Sequence, residues 1–330
     1  MNTARLVADS ESDRDSALDV GDDVEVMTVS SAVFRYRQEN GRTYHAYKDG
    51  RYLLPNDQTE NERLVLQHYL FLYTFHDQLH ISLLPKRLHR VLDAGCGTGD
   101  WTIDFADSHP ECHVTGVDLS PIQPVYVPQN VSFIVDDLEE ETWAFGPRFD
   151  FIFSRFMTGS ISNWPEFFRK SYESLNPGGV IELQDSVWRA ETDDGTVPPD
   201  SHLARWADLL RSGMHQFGRP IDSALHYKEQ LEEAGFVDVV QYVYKWPTNH
   251  WPKDRRHKMI GKWNHENFTT GLSGISLALM TRSKEQKGLG WTVDEVEALL
   301  EGVRRDLRDT GMHAYFPVYV VYGRKPDEDL

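Results

Sequence analysis

Cysteine is nearly absent from this chain: Cys96 and Cys112 are the two among 330 residues. That excludes a disulfide framework and any zinc site built on paired cysteines, and it fits a reducing compartment. Positive charge is also scarce, with 34 Lys and Arg against 52 Asp and Glu and a net charge of −18. A nucleic-acid backbone would be repelled by such a surface, so no nucleic-acid partner is expected. Small neutral molecules and protein partners stay open. No apolar run approaches the roughly 20 residues of a membrane span, and no basic-then-apolar order opens the chain. The expectation is a soluble protein of the cytoplasm, with the nucleus as the alternative. His215, His226, His250 and His265 show no ligand spacing, so no metal is expected.

What is present divides the chain in two. Residues 1–31 are rich in Asp and Ser and poor in large apolar side chains. Such a segment buries too little to offset its ordering entropy, which predicts a disordered acidic tail. Aromatic residues begin at Phe34 and Tyr36, and residues 32–330 are expected to form a single domain. "PNDQTENERLVLQHYLFLYTFHDQLH" (Pro55 to His80) reads as a helix. Asp57 followed by Glu60 resembles a capping box, and leucines and aromatics on nearly all faces predict a buried helix. It is assigned to an N-terminal lid over residues 57–85.

From Arg90 the pattern alternates strand and helix. "RVLDAG", "HVTGVDLS", "VSFIVDD", "FDFIFSRF" and "VIELQD" read as strands, with helices at "TGDWTIDFADSHP" and "WPEFFRKSYESLNPGG". Two further strands come late, Val237 to Trp246 and His313 to Lys325. Helical segments are predicted near Ser201–Phe217 and Trp251–Thr310. Strands separated by helix-length patterns pair in parallel through right-handed crossovers. The predicted fold is α/β: a Rossmann-like, doubly wound, seven-stranded sheet, mostly parallel with the last strand antiparallel. Its core would comprise residues 86–190, 226–250 and 313–326, with helical cap segments at 191–225 and 251–312.

"DAGCGTG" (Asp93 to Gly99) closes the first of these strands and opens a helix. In an open parallel sheet a ligand binds beyond the carboxyl ends of the strands. Gly95, Gly97 and Gly99 allow a tight turn and let a ligand touch the backbone. A dinucleotide fingerprint would want glycine where Asp100 stands, and a pyrophosphate would be poorly served between Asp93 and Asp100. A ligand that is cationic near this turn fits better. S-adenosylmethionine has an ammonium, a sulfonium and no phosphate. Asp118 ends the next strand, 19 residues after Gly99, where an acid accepts from both ribose hydroxyls. Asp136 or Asp137, ending the strand after that, could accept from an adenine amino group.

Glycine turn, acid and acid at successive strand ends resemble the class I S-adenosylmethionine-dependent methyltransferases. More narrowly, the chain resembles the fungal LaeA-like group found with secondary-metabolite gene clusters. The narrower likeness rests on "YHAYKDGRYLLPNDQTENERLVLQH", "FDFIFSRFMTGSISNW", "LNPGGVIELQD", "WPKDRRHKMIGKW" and "HAYFPVYVVYGRKP". It covers nearly everything after Phe34. The resemblance implies cofactor contact by Asp93, Gly95, Asp118 with Leu119, and the Asp136–Asp137–Leu138 turn. It also implies that Arg155 lies over the cofactor and faces the substrate.

Methyl transfer asks little of side chains beyond positioning, with a general base useful for a hydroxyl acceptor. His68 on the lid helix is the candidate base, set against its reading as a satisfied core histidine. Arg155 is the second catalytic candidate, set against a structural pairing with Asp185 or Glu182. Tyr44, Tyr47 and Tyr52 are candidates to close over the cofactor, and Trp246 and Trp251 to wall an acceptor cavity. Cys96 is read as small and tolerated, and Lys253–Lys258 as a solvated face. Two functions follow. One is a small-molecule methyltransferase of a fungal biosynthetic pathway. The alternative is a LaeA-like regulator acting through protein partners.

Overall fold

A computed structural model describes residues 31–327, so the acidic segment lies outside the described residues except for Ser31. After a 3-10 turn at Ser31–Phe34, strands β1 (Arg37–Glu39) and β2 (Arg42–Tyr44) form a hairpin that the sequence reading did not include. Its signal was available: Asn40 and Gly41 both take positive φ, the conformation an Asn-Gly hairpin turn uses.

Helix α1 (Gln58–Thr74) starts at Asp57, whose carboxylate accepts from the Glu60 amide at 3.1 Å. Only half of the expected capping box forms, because the Glu60 carboxylate turns to Arg63 instead. The helix stops at Thr74, short of the expected His80, where His76 and Asp77 adopt positive φ. Its buried face is also not uniformly apolar. Leu70 and Phe71 are buried, but so are Glu60, Arg63 and Gln67, spaced three or four apart along one stripe, and His68 beside Gln67. Burying that polar stripe requires partners, and these define the site below.

The remaining elements follow as β3 (Arg90–Ala94), α2 (Asp100–Ser108), β4 (His113–Asp118), β5 (Val131–Val135), β6 (Phe149–Arg155), α3 (Trp164–Ser174) and β7 (Leu175–Ser186). Then come α4 (His202–Phe217), α5 (Tyr227–Glu233), β8 (Val237–Pro247), α6 (Arg255–Thr281), α7 (Val293–Arg308) and β9 (Tyr315–Arg324). The sheet runs in the order β5-β4-β3-β6-β7-β9-β8. All pairings are parallel except those of β9, which runs against both β7 and β8. The Asn-Pro-Gly-Gly expected to close α3 lies inside β7 instead.

Alternation along the strands makes the sheet two-sided. Leu92, Ile152, Ile181 and Leu183 pack with Phe167, Phe168, Tyr227 and Leu231 of α3 and α5. Val91, Phe151, Phe153 and Val180 pack with Trp101 and Phe105 of α2. Val318 and Val320 meet Leu70 and Phe71 of α1 and Ile260 of α6. A side chain such as Phe71, fully buried there, contributes on the order of 2–3 kcal/mol.

The segment Trp251–Thr310 is two helices rather than one. Gly288 and Gly290 lie in the intervening turn, and Thr292 with Glu295 forms a complete capping box that starts α7. Helices α4, α6 and α7 share a core of Trp206, Leu210, Phe268, Leu272, Leu300 and Val303. The described residues form one compact unit. No helix among the described residues is long and apolar enough to cross a membrane.

Candidate functional site: a carboxylate-ringed cavity at the strand ends

Strand order reverses between β3 and β6, and the carboxyl ends on either side of that switch open into a cavity of about 150 Å³. The ten residues named as cofactor-contacting or catalytic candidates line it: His68, Asp93, Gly95, Gly97, Asp118, Leu119, Asp136, Asp137, Leu138 and Arg155. Gly95 and Cys96 donate their amides to the Val117 carbonyl at 2.9 and 3.0 Å, tying the turn to β4. The glycines differ in what they do. A Cβ on Gly95 (φ +85°) would come within 2.1 Å of the Met157 sulfur, so this glycine serves close packing. A Cβ on Gly97 (φ +53°) would meet nothing nearer than Leu64 at 3.7 Å, so its bare face belongs to the cavity.

The acids are held by backbone and hydroxyl donors. Asp118 accepts from Gly97 N and Ser120 N, each at 2.9 Å, one on either oxygen. Burial still raises its pKa, the amide hydrogen bonds opposing. Asp93 is fully enclosed and accepts from the Thr102 hydroxyl at 2.6 Å. Burial pushes it up to about 7.

At the end of β5 the structure separates two neighbours that the sequence left equivalent. Asp136 Oδ1 accepts from the Asp137 amide at 2.8 Å and from the Tyr47 hydroxyl at 3.3 Å. Asp137 Oδ1 accepts from the Glu139 amide, whereas its buried Oδ2 has no hydrogen-bond donor among the described residues. The Arg51 guanidinium, 3.7 Å from that oxygen, is too distant to donate. Gln67, buried on α1, lines the same cavity, and its Nε2 is likewise without a partner among the described residues. An orphaned buried acceptor and an orphaned buried donor, lining one cavity, call for a ligand that carries both an N–H and an anionic or carbonyl oxygen. Sequence reasoning missed Gln67. Its position four residues after Arg63 in a polar stripe was the available signal.

Arg155, last in β6, makes neither of the carboxylate pairings expected of it. Its Nε donates to Gln184 Oε1 at 2.9 Å, Nη1 to His68 Nδ1 at 3.1 Å and Nη2 to the Leu79 carbonyl at 3.4 Å. The guanidinium also lies 4.6 Å from the Phe71 ring centroid and 5.1 Å from that of Phe153. Burial brings its pKa down to about 10, so it stays cationic at neutral pH. Asp185 instead accepts from Thr158 N and the Tyr227 hydroxyl, and Glu182 from the amides of Ile81 and Ser82.

His68 is engaged at both nitrogens, by Arg155 at Nδ1 and by Asp104 at Nε2, 2.9 Å away. Since an arginine only donates, Nδ1 is the acceptor and Nε2 carries the proton. Burial, then the Arg155 charge, lower its pKa and keep the ring neutral. In this arrangement neither ring nitrogen has a free lone pair, which favours the core-histidine reading over the base.

The lid is locked to the cap at the same level. Arg63 holds both Glu60 oxygens and reaches Asn267 of α6 at 2.7 Å. Arg219, also lining the cavity, bridges Glu139 and the Ser160 carbonyl.

Other candidates fall elsewhere. Trp246 donates to the Thr74 hydroxyl, and Trp251 donates to the Ala314 carbonyl and stacks on His313. Neither lines the cavity, which corrects the proposed aromatic wall. Of the three tyrosines, Tyr52 lines it, Tyr47 touches it through Asp136, and Tyr44 is buried beneath Arg37 and Arg282. The Cys96 thiol is pushed well up by burial and the nearby Asp118 and Asp93, which leaves it no nucleophile. No group of metal-binding residues occurs among the described residues.

Comparison with known proteins gives the family. A family model described as a methyltransferase domain matches residues 66–241. The chain is 40% identical over 300 residues to "Methyltransferase pytC" of Aspergillus terreus, spanning 91% of both chains. It is 37% identical to "Secondary metabolism regulator LAE1" of Cochliobolus heterostrophus, over 88% of this chain and 95% of that one. It is 31% identical to "Protein-methionine methyltransferase laeA" of Emericella nidulans, over 88% and 77% respectively. On the family match and on relatives that run nearly its whole length, the chain belongs to the methyltransferase-domain family.

Proposed function

We propose that this cavity binds S-adenosylmethionine and that the chain methylates a small-molecule intermediate of fungal secondary metabolism. The observation that carries the cofactor assignment is the orphaned Asp137 Oδ2 in a ring of acids from three successive strand ends. An adenine amino group satisfies that oxygen. The Asp118 oxygens, each with a second lone pair, accept from the ribose hydroxyls. Asp93 faces the ammonium, Gln67 Nε2 donates to the carboxylate, and Gly97 leaves the backbone bare beside it. Leu138 offers an apolar surface to the base. When bound, the cofactor supplies an electrophilic methyl group on a sulfonium.

The protein's own contribution is positional. Gly97 and Asp118 brace each other, so the turn is set before ligand arrives. Arg155 is fixed by Gln184, His68 and Leu79 and places a fixed cation beside the cavity. The Arg63–Glu60–Asn267 lock holds the lid against the cap and limits water. Holding reactants at attack distance supplies several kcal/mol of a displacement barrier, ~7 or more in favourable cases.

Relatives of comparable identity carry both enzyme and regulator names, so the acceptor needs a direct test. Purified protein is incubated with methyl-tritiated S-adenosylmethionine and an extract of a strain lacking the gene. Label in a low-molecular-weight product supports the small-molecule reading. Label confined to protein replaces it with the regulatory one.

A further inference from the structure

Lysine is almost never fully buried unless its ammonium is paired, yet Lys170 on α3 is only 4% exposed. Its partners are backbone carbonyls. Nζ donates to the Leu138 carbonyl at 2.6 Å and to the Glu140 carbonyl at 2.8 Å. The Leu138 carbonyl accepts a second time, from the Trp143 indole N–H at 2.9 Å, and the ammonium lies 5.5 Å from the centroid of that ring. Lys170 is carried by a fixed helix, since Phe167 and Phe168 of α3 are buried in the core.

The two carbonyls belong to one turn. The Glu140 amide donates to the Asp137 carbonyl at 3.0 Å, which closes a four-residue turn. The Glu139 amide donates to Asp137 Oδ1 at 2.9 Å, the bond an aspartate makes at the first position of such a turn. The turn thereby orients the carboxylate, and Oδ2 is the atom left over, buried and without a donor among the described residues. Each carbonyl direction sets a peptide plane, so the ammonium fixes the planes that follow Leu138 and Glu140. Asp137, Leu138 and Glu139 line the cavity, whereas Lys170 does not. Its effect on a ligand must pass through the turn. Burial lowers the pKa of Lys170 and the charges of Glu166, Glu139 and Asp137 oppose this, so its ammonium and the Asp137 carboxylate are also coupled by charge.

We infer that Lys170 is a positioning residue for the adenine end of the cofactor, pinning the Asp137–Glu140 turn so that Asp137 Oδ2 stands ready to accept from the exocyclic amino group. The inference rests on the S-adenosylmethionine reading of the cavity. Without the ammonium, the Glu140 carbonyl loses this donor and the Leu138 carbonyl keeps Trp143 alone. The turn then relaxes and the orphaned oxygen shifts with it.

The test is calorimetry on full-length protein with S-adenosylhomocysteine and with S-inosylhomocysteine, which carries an oxygen in place of the amino group. The parent prefers the amino ligand. Lys170→Met keeps an unbranched side chain and removes the donors. It weakens S-adenosylhomocysteine by about tenfold, the scale of one buried hydrogen bond, and S-inosylhomocysteine by less. The preference collapses, which a general loss of stability would not produce. In an Asp137→Asn background the same lysine change costs less than about twofold, because residues that act through one contact are not additive. Trp143→Phe removes one of the two donors to the Leu138 carbonyl, lowers the preference in the same direction, and takes over the test should Lys170→Met fail to melt cooperatively. An undiminished preference in Lys170→Met, or in Trp143→Phe where it stands in, overturns the inference. So does a lysine effect repeated in full beside Asp137→Asn, or a parent that binds both ligands equally. A parent that binds neither overturns the cofactor reading, and the inference with it.

Discussion

Arg155 Nη1 donates to His68 Nδ1 across 3.1 Å, joining the end of β6 to the lid helix α1. The pair continues to Asp104 on α2, so three elements meet at one neutral imidazole. Breaking it from either side leaves a buried group unpaired, with a cost of about 1–3 kcal/mol. His68→Phe is therefore expected to lower the melting temperature by several degrees. If the ring is no base, the variant's methyl-transfer rate should show no lost titration between pH 5 and 7. A rate at least 100-fold lower in a variant that melts normally would restore His68 to catalysis.

Arg155→Ala tests the other half. Arg155 has no carboxylate within ion-pair distance among the described residues, yet burial is complete enough to lower its pKa to about 10. Methyl transfer should fall by more than tenfold while S-adenosylhomocysteine affinity, read by calorimetry, changes less. Normal turnover in a destabilised variant would confine Arg155 to structure.

Asp136 and Asp137 should be unequal. Asp137→Asn turns an acceptor at the orphaned oxygen position into a donor and is expected to weaken S-adenosylhomocysteine by tenfold or more, about 1.4 kcal/mol. Asp136→Asn alters an oxygen already bonded to Tyr47 and the Asp137 amide, and should cost less. Equal losses would show that the adenine amino group lies elsewhere. Asp118→Ala, which would remove the proposed ribose contacts, should cost roughly 1–3 kcal/mol of affinity by the same calorimetry.

The glycine turn gives a contrast between neighbours. Gly97→Ala places its Cβ in the cavity at φ +53° and should lose cofactor binding, with a backbone cost of about 1 kcal/mol and a cooperative melt. Gly95→Ala drives its Cβ into Met157 and should lower stability first. Loss of folding in Gly97→Ala would make that glycine a packing residue too.

Asp93 makes cofactor binding depend on pH. Its folded pKa, about 7, lies above the ordinary carboxylate value near 4, so the folded apoprotein holds a proton that the unfolded chain releases. This group's contribution to stability is thus fully present below pH ~4 and is lost as pH rises toward 7. An ammonium beside Asp93 favours the ionised form. Affinity for S-adenosylhomocysteine should therefore strengthen from pH 6 to 8, and Asp93→Asn should bind weakly with a flatter profile. An unchanged pH dependence in that variant would remove Asp93 from the ammonium site.

Much of this was written locally in the chain. The seven strands follow from short apolar runs, and the glycine turn and Asp118 from their places at strand ends, because strand periodicity and turn chemistry are near-neighbour properties. The Asn40-Gly41 hairpin and the α7 start at Thr292 were equally local, and were overlooked because each is only a few residues long. The order β5-β4-β3-β6-β7-β9-β8 and the antiparallel β9 agree with the fold class read from that alternation.

What the sequence determined by itself was which residues lie at the strand ends; which of them still wants a partner was decided by tertiary structure. Asp136 and Asp137 are adjacent and chemically identical, and the fold makes them different: Tyr47, 89 residues away, bonds Asp136, while Asp137 is buried with one oxygen unpartnered among the described residues. His68 is open in the sequence to either a base or a core role, and it is Arg155, 87 residues away, that takes its Nδ1 lone pair. Trp246 and Trp251 read as a cavity wall until Thr74 and Ala314 take their N–H groups. Apolar periodicity is summed over many residues and survives in one dimension. A hydrogen bond is made or lost by single atoms brought together from distant segments, so satisfaction of buried polar groups exists only once the chain has folded.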